Sequence, residues 1–325
     1  MTAIRIIIFL AIIVLTAELL SAAFRTLRHY LNKYNYSDRA WVWWYRNIYL
    51  KYLIKPRIKR STPILPNIEK IDIVIGFMNK PKETIRCIES LVNGYKNHLI
   101  LADCASESAE SSKIYDHIEN DLSDNFEVSK IYFDRIVGVP KTYNEALKST
   151  KHKYVLFIHN DMEVLAPLWQ EKILGFMDKN PKAGIVAFAG RTKLLADGTH
   201  DSKSTLSNIR YLVKLGKQIP MHKDFEKVIV IDGCGFMMRN GLGLKFDEIY
   251  SLHHYYDLDI SMQARKLGYD CYAANIEAEH WGDLEGSTRQ LSSFKKIVQN
   301  DDKLFLDNKA LFIKKWGITS DLTYP

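Results

Sequence analysis

Ten residues constrain this chain more than any others: Tyr154-Val155-Leu156-Phe157-Ile158-His159-Asn160-Asp161-Met162-Glu163. Five consecutive apolar or aromatic residues, rich in β-formers, predict a buried strand. The run stops at a polar cluster containing Asp161. A carboxylate at the carboxyl end of a central strand stands where open α/β sheets place ligand chemistry. Asp161 could hold a divalent cation through oxygen, and such a cation could bind a diphosphate. His159-Asn160-Asp161 also reads as a plain turn, because Asn and Asp favour turns for local reasons. The neighbouring segments decide between the two.

Strand and helix patterns alternate around it. Strands are expected over 71–77, 98–102, 128–133, 154–158, 183–189, 228–231 and, last, 271–276. Helices are expected over 82–93, 108–122, 142–149, 168–178, 258–267 and 291–316. Residues 191–226 are polar, turn-rich and without a clear period. Strands alternating with helices imply a mainly parallel central sheet flanked by helices. In such a sheet the loops after 71–77 and 98–102 share an edge with Asp161. Asp103 ends the second of these strands. It could accept hydrogen bonds from a base or ribose, or serve as a helix cap or turn former.

The net charge of +7 first suggests nucleic acid, until the charge is located. Residues 25–60 hold ten Lys or Arg and one acid, a net +9, which leaves −2 for the rest of the chain. A nearly neutral body argues against a nucleic-acid groove. Cys87, Cys104, Cys234 and Cys271 are scattered without metal-site spacing, as expected for free thiols in a reducing compartment.

Residues 6–24 form a nineteen-residue stretch, apolar but for a few positions, with Glu18 inside. Three readings fit: a bilayer span near the lower limit of length, a cleaved signal peptide with Ser21-Ala22-Ala23 as the small-residue site, or an amphipathic helix on the surface. The basic segment beyond it is interleaved with Trp41, Trp43, Trp44, Tyr45, Tyr49 and Tyr52, which favours a membrane anchor with the main domain in the cytoplasm. The expected organisation is an anchor or signal-like segment over 1–24, a basic juxtamembrane linker over 25–66, a catalytic domain over 67–285 and a helical extension over 286–325.

The motifs, in order, resemble family-2 glycosyltransferases of the GT-A fold. Gly76-Phe77-Met78-Asn79 stands where that family has its first-strand loop. Asp103 stands at the position that contacts the nucleotide base. Gly138-Val139-Pro140-Lys141-Thr142-Tyr143-Asn144 is similar to the glycine-led segment lining the donor pocket, and His159-Asn160-Asp161 to the Asp-x-Asp metal motif. Downstream, Ile231–Arg239 is similar to the strand and glycine turn before the acceptor site, and Phe246-Asp247-Glu248 to the segment after it. Tyr256-Asp257-Leu258-Asp259 resembles the Glu-Asp-x-Asp helix, Glu279-His280 the late metal histidine, and Asn308, Phe312 and Lys315-Trp316-Gly317 a C-terminal signature. The resemblance spans roughly residues 70–317.

The resemblance implies an inverting transfer of one sugar from a nucleoside-diphosphate donor, UDP first among them, to a glycan or lipid-linked acceptor. Asp257 is the expected general base, with Asp259 as runner-up. Asp161 and His280 would hold Mn2+ or Mg2+. Phe77, Asn79, Asp103, Lys141, Asn144 and Asn160 would line the donor site. Three departures stand out: His159 replaces the first metal-motif Asp, Tyr256 the Glu before the base, and Gln263 a common Arg. His253 and His254 could also reach the acceptor or metal. A nucleotide-sugar-binding protein without turnover and a nucleotidyltransferase are the competing readings. The absence of Gln-x-x-Arg-Trp argues against a processive polysaccharide synthase.

Overall fold

The computed structural model describes residues 69–211, 221–282 and 291–324. The expected anchor and basic linker lie outside the described residues. Among the described residues no helix is long and apolar enough to cross a membrane. The chain divides between Thr62 and Pro63 into two compact units, and every described residue belongs to the second.

The first part of that unit alternates as the patterning requires: β1 (Asp72–Phe77), α1 (Pro81–Ser90), β2 (Asn97–Cys104), α2 (Ser108–Asp121), β3 (Phe126–Phe133), α3 (Val139–Leu147) and β4 (Tyr154–Ile158). Next come β5 (Met162–Val164), α4 (Trp169–Lys179) and β6 (Ala183–Ala187). Then follow β7 (Ala189–Arg191) and, within the polar stretch, β8 (Lys193–Leu194), β9 (Thr205–Ser207) and β10 (Ile209–Tyr211). After it stand β11 (Phe225–Val228), β12 (Val230–Ile231), β13 (Gly235–Arg239), α5 (Tyr256–Lys266), β14 (Asp270–Ala274) and β15 (Ala278–His280). The chain closes with α6 (Ser292–Ile297), α7 (Asp301–Trp316) and β16 (Leu322–Thr323).

Eight strands form the central sheet, in the order β11-β14-β6-β13-β4-β1-β2-β3. The β4-β1-β2-β3 half is parallel. The other half is mixed: β13 runs antiparallel between β4 and β6, β14 is parallel to β6, and β11 closes the edge antiparallel. The sheet is mainly parallel, as the pattern implies: six of its eight strands run one way, and only β13 and the edge strand β11 run the other. The interior strand that reverses, β13, starts two residues after Gly233, in a stretch whose glycines read as a turn. Gly235 is required there for close approach, since a Cβ would lie 2.7 Å from the Phe188 ring.

The residues of β4 show why five apolar side chains in succession make a strand here. Tyr154, Leu156 and Ile158 enter the core under α1, α2 and α4. Val155 and Phe157 enter the core on the opposite face, with Tyr143 of α3 and Ile260 of α5. All five are fully buried, as expected of a strand covered on both faces. Phe157 stacks on Phe236 at 5.1 Å and meets Tyr143 at 4.8 Å.

Three small sheets position the ends of these elements. They are β10-β15-β5, β12-β7-β9 and β16-β8. The strand expected last, over 271–276, is thus succeeded by two more, too short for a sequence period to reveal. The helix expected over 291–316 is two helices, broken before Asn300, whose side chain caps α7 through Lys303 N–H at 2.9 Å. Gly317, with φ +60°, ends α7 in the left-handed conformation. Phe312 of α7 is buried with Tyr250, Tyr255 and Leu258, so this segment packs on the N-terminal end of α5. Cys87, Cys104, Cys234 and Cys271 are all free thiols.

Candidate active site

Residues 159–161 turn out of β4 at the carboxyl end of the parallel half-sheet. His159 N–H donates to the Cys234 carbonyl at 2.9 Å, extending the β4–β13 pairing. Met162 N–H then closes the turn on the His159 carbonyl at 3.1 Å. Asn160 is buried and donates to Thr84 Oγ1 of α1 at 3.0 Å. Its side chain fixes the turn rather than facing an open site. The antiparallel β5–β15 register brings His280 opposite Met162, and Trp281 N–H donates to the Asp161 carbonyl at 2.9 Å.

The outcome is a cluster of His159, Asp161 and His280, each offering one ligand atom within 4.8 Å of the other two. His280 Nε2 stands 3.3 Å from Asp161 Oδ1. Burial works to raise the Asp161 pKa, but attraction and a hydrogen bond from His280, with the field of His159, hold it at about 2. Burial also lowers the pKa of His159, against the pull of Asp161. A carboxylate and a neutral imidazole are the forms a metal ion needs.

The tautomer of His159 is set by its neighbour. Tyr256 Oη has one proton, which it donates to the Gly233 carbonyl at 3.1 Å. At the 2.8 Å contact between Tyr256 Oη and His159 Nε2 the imidazole is therefore the donor, which leaves the lone pair on Nδ1. Tyr256, where the resemblance expects Glu, thus acts as a partner that orients a histidine standing where it expects Asp.

Space over the cluster is kept clear by Gly282, where a Cβ would lie 3.1 Å from His280 Nε2 and 3.3 Å from Asp161 Oδ2. Two imidazoles and a carboxylate beneath a cleared face could hold a divalent cation, with phosphate or water oxygens completing a mixed shell that Mn2+ accepts. Gly282→Ala is expected to weaken manganese binding roughly tenfold, the low end of outer-shell effects on metal sites. Isothermal titration with MnCl2 measures this, and unchanged affinity would show that Gly282 does not shape the cluster.

Asp257 lies in the first turn of α5, two residues after the N-cap, Tyr255. It is half-buried. Its Oδ2 accepts from Gly233 N–H at 3.0 Å and its Oδ1 from Leu258 N–H at 3.0 Å. Burial first, and the charge of Asp232 second, push the Asp257 pKa up to about 6, against the opposing charge of Arg191. Asp232 is itself paired with Arg191 at 2.9 Å. Asp232 thus supplies a negative charge beside Asp257 that Tyr256, in place of the Glu of the resemblance, does not. Gly233 admits no side chain, since a Cβ would lie 2.1 Å from Tyr256 Oη. Hydrogen bonds thus run from His159 through Tyr256 and Gly233 to Asp257.

Asp259 points elsewhere. It is fully buried and accepts from Trp316 Nε1 at 2.8 Å, Tyr250 Oη at 3.1 Å and Gln263 Nε2 at 2.7 Å, with Lys315 Nζ at 2.7 Å. Such a carboxylate anchors α7 and cannot meet a substrate, so the runner-up base is ruled out by its burial. Asp259→Ala is expected to destabilise the fold by about 3 kcal/mol through the broken buried pair. The denaturant midpoint measures it, and a change under about 1 kcal/mol would contradict the anchoring role.

The donor-lining expectations divide. Register aligns Phe77 of β1, Asp103 of β2 and Tyr132 of β3 in one row at the sheet edge. Asp103 accepts from Ser106 N–H at 2.8 Å. Asn79 accepts from Glu107 N–H at 2.8 Å and gives its own N–H to Ser106 Oγ at 2.7 Å. The loops after β1 and β2 are therefore knitted together beside Asp103. The Phe77 ring is corrected to a core position, packed against Tyr115, so only its backbone reaches the loop. Asn144 is corrected to a clamp: its carboxamide donates to the Phe246 carbonyl at 2.7 Å and accepts from Phe246 N–H at 3.0 Å. Lys141 is half-buried on α3 and makes no ion pair among the described residues. Asp232 and Arg191 were not singled out by the sequence, and His159 and Tyr256 stood out only as departures from the family pattern. The one signal for Asp232 was its place just before Gly233 and Gly235.

Residues 103–307 match the family described as glycosyltransferase-like. Among solved structures, GalNAc-T7 with UDP, GalNAc and Mn2+ superposes with a TM-score of 0.51 at 15% identity, over 72% of this chain and 48% of its own. The chain thus spans about half the length of that structure. S. aureus TarS in complex with UDP-GlcNAc gives 0.48 at 15% identity, over 73% of this chain and 66% of its own. A mannosyltransferase from Pyrobaculum calidifontis with GDP-Man and Mn2+ gives 0.49 at 13%, over 78% and 76%. No curated protein matches in sequence. At 15% identity the likeness to GalNAc-T7 concerns the α/β fold alone.

Proposed function

The chain belongs to the glycosyltransferase-like family, and we propose that it is a transferase that moves one sugar, with inversion, from a nucleoside-diphosphate donor to a glycan or lipid-linked acceptor. The observation that carries this reading is the hydrogen-bonded path joining the His159–Asp161–His280 cluster to Asp257, whose pKa of about 6 suits a base working near neutrality.

Asp257 takes the acceptor hydroxyl proton as that oxygen forms its bond to the anomeric carbon. The bond from that carbon to the donor diphosphate breaks on the opposite side, and the nucleoside diphosphate departs. No enzyme nucleophile is needed. His159, Asp161 and His280 would hold a divalent cation, Mn2+ or Mg2+, which supplies Lewis-acid stabilisation of the leaving diphosphate. Asp103 and the loop held by Asn79 would receive the base and ribose, with Lys141 as a cation within the donor pocket. UDP is the nucleotide proposed, as held by the GalNAc-T7 structure. The basic, aromatic stretch over 25–60 supports working at a membrane surface from the cytoplasmic side, with the catalytic domain beginning near residue 67.

The test is release of nucleoside diphosphate from UDP-, GDP- and dTDP-sugars with manganese, alongside thermal shifts with the same ligands. Turnover of one donor, abolished by chelation, supports the reading. Stabilisation by a donor with no turnover on any acceptor would assign binding alone, and the absence of both would overturn the proposal.

A further inference from the structure

Besides the cluster at the end of β4, two other groups of His and Asp converge among the described residues: Asp72–His98–His152 and His253–His254–Asp301. The first is closed to any ligand. Asp72 already accepts from His98 Nδ1 at 2.7 Å, His152 Nδ1 at 3.0 Å, and the N–H groups of Lys151 at 2.9 Å and His152 at 2.8 Å. His98 Nε2 is taken by Ser129 Oγ at 2.8 Å. With both His98 nitrogens and all four carboxylate contacts in use, this group is a structural network at the far end of β1.

The second group is built differently. His253 and His254 lie in the loop leading to α5, and Asp301 in the first turn of α7. His253 Nε2 is 3.1 Å and His254 Nε2 3.0 Å from the same oxygen, Asp301 Oδ1. All three side chains are half-buried. Zinc bonds of about 2.0–2.1 Å in a tetrahedral shell put neighbouring donor atoms roughly 3.3 Å apart. The two spacings to Asp301 are close to this, and all three donor atoms lie within 4.8 Å of one another.

The framework around these donors is fixed. Asn308, two helical turns below Asp301 on the same face of α7, accepts from Ser251 N–H at 3.1 Å and donates to the carbonyls of Ser251 at 2.9 Å and His254 at 3.1 Å. Leu252 and Tyr255, at φ 58° and 69°, bracket the two histidines in the left-handed region. Such conformations persist only where the surroundings impose them. Phe294 packs against His253 at 5.6 Å and Phe305 edge-on against His254 at 5.4 Å, giving the donors an apolar backing.

We infer that His253, His254 and Asp301 form a second divalent-metal site, of zinc-type chemistry, that ties the first turn of α7 to the loop leading into α5, the helix that carries Asp257. Two imidazoles and one carboxylate leave a fourth position for water or an acceptor oxygen. The site shares no ligand with the His159–Asp161–His280 cluster, and the inference stands whether or not that cluster serves sugar transfer.

The test is zinc stoichiometry of the full chain by metal analysis after gel filtration, with melting temperatures in zinc and in EDTA. Asp301→Asn and His253→Gln/His254→Gln are each expected to lose one equivalent of zinc and the zinc-induced rise in melting temperature. Both should melt like the parent chain in EDTA. Asp161→Asn should retain that equivalent, and the cobalt-substituted form should show visible bands of tetrahedral type. Unchanged stoichiometry in both the Asp301 and the double-histidine variants would overturn the site. So would loss of all bound zinc in Asp161→Asn.

Discussion

Asp257→Asn abolishes sugar transfer while donor binding survives. The asparagine is isosteric, and its carbonyl can still accept from Gly233 N–H, so the start of α5 should hold. What is lost is the ability to accept the hydroxyl proton, worth about 10²–10⁴ in rate for a positioned base. The measurements are kcat with the best donor and the thermal shift with donor alone. A rate within tenfold of the parent would exclude Asp257 as base. The pH dependence carries a second signature. Asp257 must be ionised to act, so kcat/KM should fall tenfold per unit below pH about 6. Asp232→Asn removes the charge that raises this pKa and leaves Arg191 lowering it, so the acid limb should move to lower pH. The same shift has a cost in stability. A folded-state pKa of about 6 lies above the ordinary carboxylate value, so this group's contribution to folding is present below the unfolded pKa and lost as pH rises through about 6. The ionised base is the less stable form of the fold, as expected where activity and stability compete.

How legible this site was depended on how local its determinants are. β4 is bounded as its apolar run predicts, and β1, β2 and β3 lie within two residues of expectation, because a strand buried on both faces or ending in a sharp polar break is written in its own residues. β13 was hidden by Gly233 and Gly235, which look like turn residues. They are required instead by the Tyr256 hydroxyl and the Phe188 ring packed against them. The two- and three-residue strands within 191–226 are too short to have a period, and the equally short strand just before them ends in Arg191, which partners Asp232. Single-residue roles were least legible where a polar group is used by a distant part of the chain. Asn144 fits a donor pocket by motif but is claimed by Phe246, about a hundred positions away. Asp257 and Asp259 are equivalent on paper. Trp316, Tyr250 and Lys315 separate them by burying only Asp259.

Asp161→Asn is expected to eliminate metal binding at the cluster and, with it, metal-dependent turnover. His159 and His280 would remain, but a neutral carboxamide oxygen is a far weaker ligand for a hard or borderline cation than a carboxylate held ionised at a pKa of about 2. Manganese affinity should fall at least hundredfold, since loss of a direct ligand exceeds the 10–100-fold effects of outer-shell changes. The thermal shift on adding MnCl2 with UDP should vanish. Tyr256→Phe is the informative companion. It removes the oxygen that accepts from His159 Nε2 but leaves all three ligands, so its loss should fall in that outer-shell range, with a slower rate at saturating manganese if His159 turns away. If manganese stabilises the Asp161 variant as strongly as the parent, the cation sits elsewhere. The path from His159 through Tyr256 and Gly233 would then serve only to place Asp257. A graded series, with Asp161→Asn most severe, Tyr256→Phe less so and Gly282→Ala least, requires one ion to contact this cluster, because only a shared ion ties together three changes that differ in charge, hydrogen bonding and volume.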